Sequence, residues 1–279
     1  MYNIIEKKLI AENEYLMKII APRIAKKRKA GQFIILIPSK GDERIPLTIV
    51  DSSIDEGWIE IIFQVVGATT FKLSLKEVGE ELYSFVGPLG KPTHIEKWGT
   101  TVMVGGGVGI APLYPITKAV KEAGNKVITI LGARTKNLLI LEDRMKIISD
   151  RFLVYTDDGS YGEKGLVTDA IKRVVEEGED IKQVIAIGPA IMMKFVSLLT
   201  KEYNFPTLVS LNTIMVDGTG MCGSCRISVG GQTKFVCVDG PEFDAHQVDW
   251  ENMLKRATVY KEQEKVAYEK LLKEYQKGN

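Results

Sequence analysis

The chain has 279 residues, of which 45% are apolar types and 26% charged. These proportions are ordinary for a globular protein and too apolar for a disordered one. Lys and Arg number 37 against 36 Asp and Glu, a net charge of +1, so attraction to nucleic acid or an anionic membrane is not the default. No apolar run reaches the roughly 20 residues of a membrane span. The opening segment is broken by charge every few residues and lacks the apolar stretch of a secretory signal, so a cytoplasmic protein is expected. At roughly 100–200 residues per domain, the length makes about two domains and a small third.

The first ninety or so residues read as β structure. Short segments rich in Ile, Val and Phe, at 15–20, 32–37, 46–50 and 58–66, are separated by turn residues such as Pro22, Gly31 and Gly57. This spacing predicts a small barrel or sandwich, with one helix at 71–78. The run Gly87-Pro88-Leu89-Gly90 marks a boundary. From about Thr100 the rhythm changes. Strands at 101–104, 126–131, 152–156, 183–187 and 208–211 alternate with helices at 113–123, 166–177 and 191–202, the pattern of βαβ units on a parallel sheet. Residues 213–240 are too short and polar for a core of their own. Residues 246–279 read as helical, with Val248, Met253, Ala257, Tyr260, Ala267 and Leu271 at helical spacing, either packed on their own domain or docking a partner.

Chemistry concentrates near the carboxyl end. Residues 1–221 contain no cysteine, and then Cys222, Cys225 and Cys237 fall within sixteen residues. Plant-type 2Fe–2S proteins use a C-x₄-C-x₂-C spacing with a distant fourth Cys. Here the spacing is intact with Asp217 in the first position, so a carboxylate and three thiolates could ligate two irons. Three alternatives stay open: a zinc site with His246 as fourth ligand, a thioredoxin-like Cys-x-x-Cys, and cysteines with a structural role.

Gly105–Gly109 follows a strand and opens a helix, where N–H groups and the helix dipole can meet a pyrophosphate, with Pro112 suited to the first turn. Asp157 and Asp158 follow a later strand at the carboxyl edge. Either could accept from ribose hydroxyls, which favours NAD over NADP, while Arg134 and Lys136 point weakly the other way. In the barrel, Arg44 and the hydroxyls of Thr48, Thr69 and Thr70 could face a phosphate-bearing ligand. No Ser-His-Asp or paired-carboxylate site is supported, so cofactors would carry the chemistry.

Arg44-…-Pro46-Leu47-Thr48, Gly67-…-Thr70, Gly105 to Pro112 and Gly188-Pro189-…-Met192 together resemble the ferredoxin–NADP reductase superfamily over about residues 1–212. The stretch Met215 to Gly223, with Cys237 to Phe243, is similar to the electron-transfer subunit of dihydroorotate dehydrogenase. It is closer to the small subunit of NADH-dependent reduced ferredoxin:NADP oxidoreductase, an electron-bifurcating flavoprotein also described as a sulfide dehydrogenase; the dihydroorotate branch has Cys where this chain has Asp217. The resemblance implies a β-barrel flavin domain (1–97), an α/β doubly wound parallel-sheet nucleotide domain (98–212), a 2Fe–2S segment (213–245) and a terminal helical tail (246–279). It assigns FAD to Arg44, Pro46, Leu47, Thr48, Ile62, Phe63, Gln64, Gly67, Thr69 and Thr70. NAD(H), rather than NADP(H), falls to Gly106, Gly107, Gly109, Ala111, Pro112, Arg134, Asp157, Asp158, Gly188 and Pro189, and the cluster to Asp217, Cys222, Cys225 and Cys237. Relatives often have Cys where Ile187 stands. The implied partner is a larger glutamate-synthase-like iron–sulfur flavoprotein subunit, through which ferredoxin is reached. The alternatives are a dihydroorotate dehydrogenase electron-transfer subunit and, from another class, a zinc-stabilised nucleotide-binding regulator.

Overall fold

The structure, a computed structural model, describes residues 2–278. The chain begins with seven strands and two helices: β1 (Ile4–Ala11), β2 (Glu14–Ile20), α1 (Pro22–Lys27), β3 (Phe33–Ile37), β4 (Ile45–Thr48), β5 (Asp51–Ser53), β6 (Trp58–Gln64), α2 (Ala68–Leu75) and β7 (Ser84–Leu89). They form two antiparallel sheets, ordered β1-β2-β6-β5 and β4-β3-β7. Alternation drives the closure: Met17, Ile19, Ile59, Ile61 and Phe63 point inward and meet Ile34, Leu36 and Leu73 in one core. β1 is absent from the sequence expectation, because its sequence IIEKKLIA mixes lysines with apolar residues. The helix predicted at 71–78 starts earlier, at Ala68, because Gly67 caps it and the Thr70 hydroxyl accepts from the Val66 and Gly67 amides at 3.0 and 3.1 Å.

The second layer follows: β8 (Thr100–Gly106), α3 (Ile110–Glu122), β9 (Lys126–Ala133), α4 (Glu142–Ile147), β10 (Arg151–Thr156), β11 (Glu163–Lys164), α5 (Val167–Glu176), β12 (Ile181–Ile187), α6 (Ala190–Glu202) and β13 (Thr207–Ser210). The sheet order is β11-β10-β9-β8-β12-β13, all parallel. The chain starts in the middle at β8, runs outward through β9 and β10, and returns to β12. The strand order therefore reverses between β8 and β12, which is where open α/β sheets bind ligands. Val102, Val104, Ile128, Ile130, Val184 and Ala186 form the buried strand core.

The remaining chain supplies β14 (Arg226–Val229), β15 (Gln232–Phe235), α7 (Val236–Asp239), β16 (Glu242–Asp244), α8 (Trp250–Arg256) and α9 (Lys261–Gly278). β14 and β15 make a hairpin, and β16 adds antiparallel to β13 at the edge of the parallel sheet. This extension is what holds the polar segment together. Met215, Cys225, Ile227, Cys237, Phe243 and Trp250 join the same buried cluster as Val104 and Ala186. The tail, expected as one helical stretch, is two helices separated by Ala257–Tyr260, and α9 packs on α2 of the barrel. Phe71 meets Tyr268 and Tyr275 edge-on at 5.9 and 5.4 Å between ring centres. The tail thus packs within the chain: α8 on α6 of the layer it grows from, and α9 across on the barrel.

Barrel and parallel sheet share a buried interface. Leu16, Val50 and Ile62 on the outer face of the barrel pack with Ile110, Ala111 and Leu113 of α3. Beside them Glu60, only 1% exposed, is paired with Arg144 of α4, whose Nη2 lies 3.2 Å from Oε2. Among the described residues no helix is long and apolar enough to cross a membrane.

Candidate functional site

Residues expected at the dinucleotide site all stand at the carboxyl ends of parallel strands, in the order β10, β9, β8, β12. Asp157 follows β10, Arg134 follows β9, Gly106 ends β8, and Gly188 and Pro189 follow β12. The glycines divide into two kinds. A side chain on Gly109 would lie 2.6 Å from Gly188 Cα and from the Ile187 oxygen, and one on Gly106 would strike Met192. Their smallness lets the two loops at the strand-order reversal touch. Gly107 is different: its φ is +52°, and a Cβ there would meet nothing within 4 Å. It turns the backbone toward open space at the entry to α3, where free N–H groups favour an anion.

Ala111 is fully buried and Pro112 half-buried in the first turn of α3, whereas Arg134, Asp157 and Asp158 are exposed. The Asp158 carboxylate accepts from the Ser160 amide at 2.9 Å, which holds it below the usual carboxylate range, so this residue caps its own turn. Asp157 makes only a backbone bond, to the Ala133 oxygen at 3.1 Å, and its carboxylate faces solvent.

On the barrel, Arg44 precedes β4 and Pro46, Leu47 and Thr48 lie along it, all half-buried. Arg44 Nε is buried without a hydrogen-bond partner, an orphaned cationic donor of the kind that an anionic ligand satisfies. Gly67 and Thr70 form the entry to α2, but the Thr70 hydroxyl is taken up in capping, which leaves the helix amides rather than this side chain for a phosphate. The Thr69 hydroxyl lies 3.5 Å from a Glu43 oxygen. Ile62 belongs to the interface between layers, Phe63 stacks with Tyr15 inside the barrel, and Gln64 ends β6. Phe63 can therefore serve a ligand only through its backbone.

The cysteine segment brings two of its four expected ligands together. The Cys225 and Cys237 thiols are buried and 3.3 Å apart. Burial and the neighbouring Cys225 push the Cys237 thiol up to about 12. Cys222 is exposed, with its thiol lowered by hydrogen bonding to Ser224. The Asp217 carboxylate caps its own loop, accepting from the Thr219 hydroxyl and from the Thr219 and Met221 amides at 2.9 and 3.3 Å. Among the described residues, no three His, Cys, Asp or Glu side chains converge as a metal site. The donor types suit a cluster: two adjacent thiols are buried among apolar side chains, and Asp217 and Cys222 stand in the loop just before them.

The alternatives fare worse. His246 bonds Thr200 of α6 at 3.0 Å through Nε2, which ties its ring to α6. Cys222 and Cys225 lie in a loop before β14, not at the start of a helix as a thioredoxin-like pair would.

The loop is fixed from both sides. Arg256 of α8 donates to the Ser224 oxygen at 3.0 Å. Gly218, at φ +83°, lies so close to the barrel that a Cβ would come within 2.5 Å of Ile35 Cδ1 and 2.8 Å of Leu89 Cδ1. Two buried acids absent from the expected site lie where the barrel meets the parallel sheet: Glu60, which interrupts the apolar run of β6, and Glu14, which opens β2.

Comparison with known proteins agrees with this architecture. Residues 212–249 match the iron–sulfur cluster binding domain of dihydroorotate dehydrogenase B, and residues 103–198 match the oxidoreductase NAD-binding domain. The chain is 53% identical to the dihydroorotate dehydrogenase B (NAD(+)) electron transfer subunit homologue of Thermotoga maritima, over 97% of this chain and 95% of that one. It is 33% identical to the corresponding electron transfer subunit of Desulforamulus reducens, over 87% of this chain and 95% of that one. The solved structure of an NADH-dependent reduced ferredoxin–NADP oxidoreductase, studied for flavin-based electron bifurcation, superposes with a TM-score of 0.92 at 51% identity, covering 98% of each chain. A cytochrome P450 reductase of Amycolatopsis shares the fold, with a TM-score of 0.60 at 20% identity over 72% of this chain and 65% of that one. The chain belongs to the family of dihydroorotate dehydrogenase B electron-transfer subunits and their homologues, oxidoreductase proteins that join an NAD-binding domain of the ferredoxin reductase type to an iron–sulfur cluster binding domain.

Proposed function

We propose that this protein moves electrons between NAD(H), an FAD held by the barrel and a 2Fe–2S cluster held by the cysteine segment, and passes them to a larger iron–sulfur flavoprotein subunit of glutamate-synthase-like type that handles NADP and ferredoxin. The observation that carries the reading is the contact of the Gly218 loop with β3 and β7, since it sets the cluster-binding segment directly on the flavin barrel. When bound, FAD exchanges a hydride with NAD(H) and single electrons with the cluster. Arg44 and the α2 amides would hold the flavin's pyrophosphate. Gly107 and the α3 amides would hold that of the dinucleotide, with Asp157 taking the ribose hydroxyls. Asp217, Cys222, Cys225 and Cys237 would ligate iron. Ile187 leaves no thiol beside the Gly188 loop, so what that loop would supply to hydride transfer is orientation.

The 51% identity to the bifurcating oxidoreductase structure and the Asp at 217 favour this partner over a dihydroorotate dehydrogenase. The dihydroorotate assignment is the second reading, supported by the match of residues 212–249. Anaerobic purification with metal and acid-labile sulfide analysis tests the core of the proposal: about one flavin, two irons and two sulfides per chain are expected. Protein lacking iron and sulfide would overturn it. Co-purification decides the partner, a glutamate-synthase-like chain being expected and a dihydroorotate-oxidising barrel favouring the second reading.

A further inference from the structure

Glu14 opens β2, with its backbone opposite Gln64 at the end of β6. The side chain is completely buried, and neither carboxyl oxygen has a hydrogen-bond partner. Loss of water without a replacement disfavours the ionised form, and burial alone pushes this carboxyl up to about 7.

Strand alternation fixes where the group stands. Leu16 and Ile62, the cross-strand pair two residues further along, share its face. Those two pack against Ile110 and Ala111, where α3 leaves the glycine loop. Glu14 is therefore on the barrel face that meets the nucleotide layer, one strand from Gln64. Charged groups on the surrounding elements are engaged elsewhere. Glu60 of β6 pairs with Arg144 of α4, Lys8 and Lys18 pair with Glu6, and Lys7 pairs with Glu77. Glu12, in the turn before β2, is exposed. A leucine would serve packing better at such a position. An unpartnered buried acid costs stability, and such groups gather at functional sites.

We propose that Glu14 is a redox-linked proton-binding residue of the electron-transfer site, its carboxylate taking up a proton when negative charge arrives at the interface between barrel and nucleotide layer. The inference rests on the barrel's being the flavin site. A hydride from NADH carries two electrons and a proton to the flavin and leaves one net negative charge there, while NADH becomes NAD⁺. The balancing proton comes from the medium and adds to a Glu14 oxygen. When the two electrons pass singly to the cluster, the hydride's own proton is shed and Glu14 releases the one it took. The cluster holds one electron at a time, so the partner subunit of the proposed function takes up the first before the second follows.

The test compares flavin-loaded wild type with Glu14→Gln, which keeps shape and removes titration. The flavin midpoint potential is followed across neutral pH, and the infrared difference spectrum is recorded on reduction. The wild-type potential is expected to fall more steeply with rising pH around neutrality than that of Glu14→Gln. Reduction should also produce a protonated-carboxyl band that the variant lacks. Glu14→Leu should behave like Glu14→Gln and melt higher than wild type. Identical pH profiles with no carboxyl band would overturn the proposal. Wild type purified without flavin would instead overturn the reading on which the proposal rests, so the two failures are distinguishable.

Discussion

Arg44 Nη2, at the entry to β4, lies 3.5 Å from the backbone oxygen of Asp217 and donates to it, joining the barrel to the cysteine loop across 173 residues of sequence. The same guanidinium leaves Nε buried and unpaired. One side chain thus ties the barrel to the Asp217 backbone and keeps a cationic donor free for the flavin phosphate of the proposed function. Arg44→Ala is expected to weaken FAD binding by about ten- to a hundredfold, the worth of a charged hydrogen bond of about 1.5–3 kcal/mol. It should also loosen the 217–222 loop. Flavin titration of the apoprotein and limited proteolysis of that loop check the two effects separately.

In the proposed cluster Asp217 takes the place of a fourth thiolate. Asp217→Cys is expected to keep two irons and to shift the cluster's midpoint potential, since ligand type is one lever on it. Asp217→Ala, Cys225→Ser and Cys237→Ser should lose iron. Redox titration followed by electron paramagnetic resonance reads the shift, and an unchanged potential and spectrum in Asp217→Cys would remove Asp217 from the ligand set.

The two kinds of glycine near α3 should separate in mutants. Gly109→Ala places a Cβ against Gly188 and Ile187 backbone, and overpacking of this kind costs about 1–3 kcal/mol, so melting temperature falls. Gly107→Ala meets no neighbour, and its left-handed backbone costs about 1–2 kcal/mol. Its distinguishing effect is on the ligand, with KM for NADH rising about tenfold, equivalent to about 1.4 kcal/mol. Asp157→Ala should raise that KM without altering the melting temperature, and unaltered NADH kinetics would remove Asp157 from the site.

Tyr268 and Tyr275 of α9 bear on the proposed flavin site through Phe71, whose amide closes the first turn of α2 on the Gly67 oxygen at 2.9 Å. Each aromatic pair is worth about 1 kcal/mol. The double variant Tyr268→Ala/Tyr275→Ala should lose FAD several-fold faster and leave NAD(H) affinity alone. Stopped-flow flavin release measures it.

Stability should fall as pH rises from about 4.5 to about 7. Glu14 and Glu242 both have carboxyls pushed up to about 7, chiefly by burial, with the Thr93 hydroxyl opposing at Glu242. The folded chain therefore binds more protons than the unfolded one between the ordinary carboxylate value of 4.5 and about 7. This contribution is greatest below that window, declines through it and is level above it. For Glu14 the shift corresponds to about 3 kcal/mol. Below the ordinary range the trend reverses, because Glu6 and Asp150, held low by lysine partners, lose their contribution on protonation. Urea unfolding across pH, with Glu14→Gln and Glu242→Gln flattening the neutral slope, checks the sign.

The sequence by itself determined the two-layer plan and offered the candidate ligand set. Turn residues between short apolar runs imply the barrel, the alternation after Thr100 implies the parallel sheet, and a thiol-free chain ending in Cys222, Cys225 and Cys237 implies a metal segment, because periodicity and ligand spacing are local properties. Local pattern failed where tertiary contacts outweigh it. The lysine-laced β1 is a strand because β2 pairs with it, and the polar segment 213–245 is ordered because β16 extends the parallel sheet. Only the tertiary structure decided that Gly109 is small for packing whereas Gly107 opens toward solvent, that the Thr70 hydroxyl caps its helix, and that Arg44 meets Asp217. Each depends on which distant backbone comes close. That proximity is set by the burial of whole faces against one another, a sum over many residues that no short window of sequence contains.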